Sequence, residues 1–207
     1  MNSTQRNCLR DPNPEIFDSA RYVDAAVSAH LTGNRKLADE LIRIADMPAI
    51  REWTESLWGK GGPWTRPLSV EDPLPFIPKE QRIKIRMPDK VAVAALIARD
   101  GYHCRFCGIP VVRAEIRTLI RRAYSEALPW GNTNMTQHAG FQALWMQYDH
   151  LLPHARGGDS SLDNMLVTCA PCNNGRSNLT LEEVGVADPR TREPAHSKWD
   201  GLERFRS

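Results

Sequence analysis

Tyr148-Asp149-His150-Leu151-Leu152-Pro153-His154-Ala155-Arg156-Gly157-Gly158, then Asn164, then Cys169-Ala170-Pro171-Cys172-Asn173-Asn174-Gly175-Arg176, is the stretch that decides how this 207-residue chain folds. Cys169 and Cys172 form a Cys-x-x-Cys pair, and Cys104 and Cys107 form another earlier in the chain. Each pair sets two thiolates on one tight turn within reach of a single ion, and Gly108 suits the first turn. Two such turns complete a tetrahedron with metal–sulfur distances of ~2.3 Å, the closed form of a structural zinc site. A redox disulfide is the competing reading, but it needs one such pair and not two. Cys8 stands alone, and an odd cysteine count behind the polar segment Met1 to Arg10 argues against a secreted disulfide framework. We expect one structural Zn²⁺ on Cys104, Cys107, Cys169 and Cys172. It leaves no open position for chemistry.

The residues around the second pair suit phosphodiester hydrolysis. Asp149 offers a hard carboxylate oxygen to a divalent cation, and Asn173 offers a neutral one. A cation held by so few protein groups keeps positions open for phosphate oxygens and the leaving oxygen. His150, with an ordinary pKa of ~6.5, can take a proton from attacking water near neutral pH. Asp149-His150, Pro153, Gly157-Gly158, Asn164, Cys169, Cys172 and Asn173 stand in the order and spacing of the HNH endonuclease family. Arg99-Asp100-Gly101-Tyr102-His103-Cys104-Arg105-Phe106-Cys107-Gly108 resembles that family's usual entry. The resemblance covers about residues 88–180.

It implies a β-hairpin–helix (ββα-metal) finger with His150 as general base, Asp149 and Asn173 on one catalytic cation, and Asn164 pinning the hairpin loop and orienting His150. It also implies a phosphate clamp at Arg176, where family members often carry a basic residue, and DNA cleavage to 5′-phosphate and 3′-hydroxyl ends. Adjacent strand residues point to opposite faces, so Asp149 and His150 require a strand end or bulge. The family position taken here by Asn173 is also filled by His; a neutral amide favours Mg²⁺ or Mn²⁺ over softer ions at the catalytic site. His154 is a weaker candidate near the phosphate, Asn174 a substitute ligand, and His103 and His138 read as structural.

Working outward, the chain reads as α+β. Residues 1–58 are helical. Ile16, Phe17, Ala20, Val23, Val27 and Leu31 recur at helical spacing from Pro14 to Leu31, and a second helix runs from Lys36 to Ala45. A third starts at Pro48 and is closed by Gly59, Gly61 and Gly62. Residues 59–87 hold Pro63, Pro67, Pro73, Pro75 and Pro78 and form an extended connector. The nuclease domain, 88–180, opens with a helix from Pro88 to Arg99. Its insertion, 109–147, carries helices at Glu115–Ala127 and Gln137–Gln147. In the tail, 181–207, we expect a short helix through Glu182 and Glu183, with Trp199 and Phe205 packing back on the body.

Lys and Arg total 27 against 25 Asp and Glu, which excludes a histone-like polycation. The balance is uneven, however: residues 82–122 hold ten basic and three acidic groups. Arg105, Arg117, Arg121, Arg122 and Arg176 are therefore candidate nucleic-acid contacts, the competing reading being solvated helix faces. Trp130 and Trp145 in the insertion either read substrate shape with these arginines or pack the N-terminal helices. No run approaches the ~18 apolar residues of a membrane span, and we expect a cytoplasmic protein. The leading expectation is a metal-dependent nuclease that hydrolyses DNA, with RNA left open as a substrate, by analogy a bacterial defence (antiviral) or restriction effector. The alternative is a zinc-ribbon nucleic-acid-binding or partner-regulated module without autonomous cleavage. A protein partner or a second copy would dock on the N-terminal helices.

Overall fold

Periodic apolar residues make one-sided helices only where a partner surface receives them. In the computed structural model, which describes residues 6–58 and 62–206, that partner is a common core. Helix α1 (Glu15–Leu31) buries Ile16, Ala20, Val23 and Val27. It packs on α2 (Arg35–Ile44), which is capped by Asn34. Helix α3 (Pro48–Trp58) buries Ile50, Trp53 and Leu57. These bounds match the expected helices; Gly59 and Gly61, expected to close the third, lie outside the described residues. The connector behaves as its prolines require. Among its described residues it has no helix apart from a 3-10 turn at Lys79–Gln81, and Leu68, Leu74, Phe76, Ile83, Ile85 and Met87 stay exposed.

Helix α4 (Lys90–Asp100), capped by Asp89, leads into the first cysteine turn. Helix α5 (Ala114–Ala123) and the five-residue α6 (Ala139–Ala143) follow. The sheet among the described residues is an antiparallel pair, β1 (Met146–His150) and β2 (Met165–Cys169), with His150 opposite Met165 and Asp149 opposite Leu166. Helix α7 (Ala170–Arg176) starts directly from β2 with Cys169 as its cap.

The expected helix at Gln137–Gln147 is corrected to α6 alone. From Met146 the chain pairs with β2 instead, because the five β2 residues are all buried and need a hydrogen-bonding neighbour. The expected tail helix is likewise a turn: Glu183 and Thr180 exchange side-chain bonds as a helix cap would, but Gly185 at φ +62° ends it at once. Trp199 and Phe205 do pack against the core. That core runs from Cys8 to Leu202 and joins the N-terminal helices to the hairpin. Helix α3 rests on both α6 and α7, so it braces the hairpin–helix unit from behind.

Candidate active site and metal centre

His150 closes β1, which resolves the adjacency of Asp149 and His150 by a strand end and not a bulge. The loop beyond it is held by Asn164. Its Oδ1 accepts from the Leu152 N–H at 2.8 Å, and its Nδ2 donates to the carbonyls of Leu152 at 3.1 Å and Asp159 at 2.7 Å. The two glycines are required there. Gly157 sits at φ +94°, and a Cβ on Gly158 would fall 1.8 Å from the Leu152 carbonyl oxygen. Asn164 thus pins the loop but makes no bond to His150.

Ser160, a residue the sequence did not single out, contacts His150 instead. Its hydroxyl has one proton, donated to the Ile85 carbonyl at 3.0 Å. At 3.2 Å from His150 Nε2 the same oxygen must therefore accept, so Nε2 carries the hydrogen and Nδ1 the lone pair. Only 7% of His150 is exposed. Burial first, then the charges of His154, Arg86 and Arg176, pushes its pKa down to about 4, which leaves the ring neutral at pH 7. His154 donates from Nε2 to the Ile83 carbonyl at 2.7 Å. Both loop side chains thereby hold the connector across the site. A cavity of about 100 Å³ brings together Asp149, His150, His154 and Asn173 with Arg86 and Met87. A groove of about 870 Å³ lined by Lys90, Tyr102, Arg113 and Trp145 shares Met87, Gln147 and Tyr148 with it.

The five candidate arginines fall into two settings, three turned into the protein and two exposed. Arg176, expected at the surface as a phosphate clamp, is buried. It donates to both oxygens of Asp149, at 2.6 and 3.1 Å, and to the carbonyls of His150, Leu151 and Leu179. Burial pushes the Asp149 pKa up despite this cation. Arg105 donates to the carbonyls of Pro189 and Arg192, both at 2.6 Å, and ties the tail to the first cysteine turn. Arg117 lies between two indoles, 3.6 Å from the Trp130 ring centre and 4.7 Å from that of Trp145. Burial, then Arg121, lowers its pKa to about 10. These three side chains organise the protein's own interior. Arg121 and Arg122 are exposed on the last turn of α5, where cations complement the helix dipole.

The sulfurs of Cys104, Cys107, Cys169 and Cys172 all lie within 4.8 Å of one another. No family model, curated protein or solved structure matches this chain. The site therefore rests on its own geometry, and the cysteines meet that test. A tetrahedron with ~2.3 Å metal–sulfur bonds has edges of about 3.8 Å, and Cys107 and Cys169 are 3.7 Å apart. Burial resists charge on all four. At Cys104, bonds from Cys107, Cys169 and Cys172 outweigh it and hold the thiol well below its usual value. Burial pushes Cys169 well up, and the bond to Cys104 does the same to Cys172. A cation such as zinc would relieve that frustration by taking every thiolate at once. Cys8 is outside the cluster, a buried thiol whose pKa is pushed up to about 12 chiefly by burial.

A second cation has a less complete set of ligands. Of its roughly four lone-pair sites, Asp149 gives two to Arg176 and also takes a backbone hydrogen bond from His150, which leaves little free beside the Asn173 amide that lines the same cavity. Hard oxygen donors are present, but the carboxylate charge is already matched by a guanidinium.

Proposed function

We propose that this protein is a metal-dependent endonuclease of the HNH type, hydrolysing phosphodiester bonds of DNA around a ββα-metal finger stapled by a four-cysteine zinc. The observation that carries the reading is the joint presence of Asp149, His150 and Asn173 in one small cavity at the mouth of a hairpin whose loop Asn164 closes. Within that cavity His150 is a neutral base whose Nδ1 has no hydrogen-bond partner among the described residues. Ser160 fixes the ring through Nε2, and the low pKa keeps the lone pair available throughout the neutral range. Proton transfer from water to Nδ1 would produce hydroxide beside the phosphate.

Asp149 and Asn173 would hold a divalent cation, with Mg²⁺ or Mn²⁺ favoured by their all-oxygen donor set. When bound, that cation would neutralise charge developing on the phosphate and the leaving 3′ oxygen. Arg176 holds Asp149 in a single orientation, which is a positioning role. One observation favours a second reading, a nucleic-acid-binding or partner-regulated module without cleavage. The Asp149–Arg176 pair is electrically balanced and so attracts a cation weakly.

Plasmid cleavage by the zinc-loaded protein in Mg²⁺ or Mn²⁺, beside a chelator control and a folded His150→Ala variant, separates the two readings. Nicking or linearisation by the wild type alone supports the nuclease. A zinc-replete wild type that cuts neither plasmid nor RNA in either metal removes it and leaves the binding module.

A further inference from the structure

Hydrolysis in this cavity calls for a cation on the phosphate, and the residues first expected to supply it are occupied elsewhere. Arg176 is bound to Asp149, Arg117 lies between Trp130 and Trp145, and Arg105 holds backbone carbonyls. Even so, the cavity lining contains one arginine, and it comes from outside the hairpin–helix unit. Arg86, in the connector, lines the cavity with Asp149, His150, His154 and Asn173.

Arg86 is placed by its neighbours. Ser160 donates to the carbonyl of Ile85, the residue just before it, and His154 donates to the carbonyl of Ile83. These two loop side chains are also the neighbours of His150: Ser160 touches its Nε2, and the His154 ring centre is 5.8 Å from its own. One short loop thus positions the base and the connector together. Arg86 is exposed, and no hydrogen bond or ion pair of its guanidinium is found among the described residues. By contrast Arg82, four residues before it, donates to the Ile77 carbonyl and helps fold the connector on itself. No contact among the described residues gives this cation a packing role, and it lines one cavity with a carboxylate and two imidazoles. Its planar fork suits two oxygens of a phosphodiester.

We propose that Arg86 is a catalytic residue of this site, delivered by the connector, which grips the non-bridging oxygens of the scissile phosphodiester opposite His150. The proposal rests on the nuclease reading for its catalytic part and on nucleic-acid binding alone for its contact. It makes the connector part of the active site, because the finger alone has no free guanidinium in the cavity.

The test uses the full zinc-loaded chain, with zinc content and circular dichroism compared for each variant. Arg86→Gln is expected to lower plasmid cleavage about 100-fold, the scale for losing one transition-state donor. Arg86→Lys should recover part of the loss, because it restores charge but not the fork. Lys36→Gln, which removes one exposed cation from α2, should cut as the wild type does.

In a His150→Ala background, binding of a fluorescent DNA oligonucleotide is followed against salt. Adding Arg86→Gln should reduce the slope of log affinity against log salt by about one contact. Cleavage by Arg86→Gln within twofold of an active wild type, or an unchanged slope, overturns the proposal. If the wild type cuts nothing and the slope still falls, the Arg86 contact stands as a binding contact and hydrolysis fails. If the chain neither cuts nor binds, both fail.

Discussion

Arg176 shows how far one side chain can depart from its place in a charge pattern. It ends α7, where a cation commonly faces solvent, yet its side chain is 2% exposed and its five donor contacts all go to Asp149 or to backbone carbonyls. Replacing it with methionine would fill much of the volume but leave the Asp149 carboxylate buried without a partner. Breaking a buried pair from one side costs about 3–5 kcal/mol. Arg176→Met should therefore lower the free energy of urea unfolding by that amount at neutral pH, with zinc bound. An exposed phosphate clamp would behave differently: its loss would change stability by no more than about 0.5 kcal/mol and affect only nucleic-acid binding. A small change in the urea midpoint would mean that Asp149 finds other compensation.

At the scale of elements, α6 is too short to be stable by itself, and its junction with α1 and α2 depends on His138. Buried in the core, His138 uses both ring nitrogens: one contacts the Ile42 carbonyl at 2.8 Å, and Nδ1 accepts from the Phe141 N–H at 3.3 Å. Only the neutral ring can do both, since a protonated Nδ1 would face the Phe141 N–H with a hydrogen of its own. Burial, the largest cause, lowers its pKa below the ordinary imidazole value. The unfolded chain therefore binds a proton that the folded chain refuses. His138 contributes its full stability above pH ~6.5, and the contribution declines as pH falls through that value toward the lower folded pKa. His138→Asn keeps a capping acceptor without a titrating group. Urea unfolding at about pH 7.5 and about pH 5 should show a smaller acid loss for the variant than for the wild type. Equal losses would place the acid sensitivity in other groups.

Such junctions mark what the sequence could and could not convey about elements. The spacing of Ile16, Val23 and Val27 shows α1 directly, and the prolines show the connector. Phe141, Leu144 and Trp145 fit a helix just as well, but pairing with β2 claims the chain from Met146. Asn164 and the two glycines were legible because each meets a backbone need that few residues satisfy. Ser160 was not, since nothing in the sequence sets it apart from Ser161. The connector's route across the site was also hidden, because it is held through the carbonyls of Ile83 and Ile85, which every residue carries.

For the whole molecule, the four cysteines add a staple inside parts that the hydrophobic core already joins. They tie the turn after α4 to the end of β2 and the start of α7. Arg105, inside that turn, holds the tail at Pro189 and Arg192. Helix α3 lies so close to α7 that a Cβ on Gly175 would be 3.2 Å from the Leu57 carbonyl oxygen. Loosening α7 would therefore disturb the N-terminal helices as well as the candidate site. Metal binding at such sites contributes roughly 10 kcal/mol or more in zinc-finger peptides, comparable to the whole stability of a typical domain. Purified protein should contain one zinc per chain. A strong chelator should abolish its cooperative thermal transition and the near-ultraviolet signal of its packed tryptophans, and added zinc should restore both. The decisive comparison is between ends of the molecule. Because one core runs from Cys8 to Leu202, Trp53 in α3 should lose its buried fluorescence together with Trp145 beside β1. If Trp145 alone responds while α1–α3 stay folded, the N-terminal helices form an independent unit and the cysteines staple only the finger.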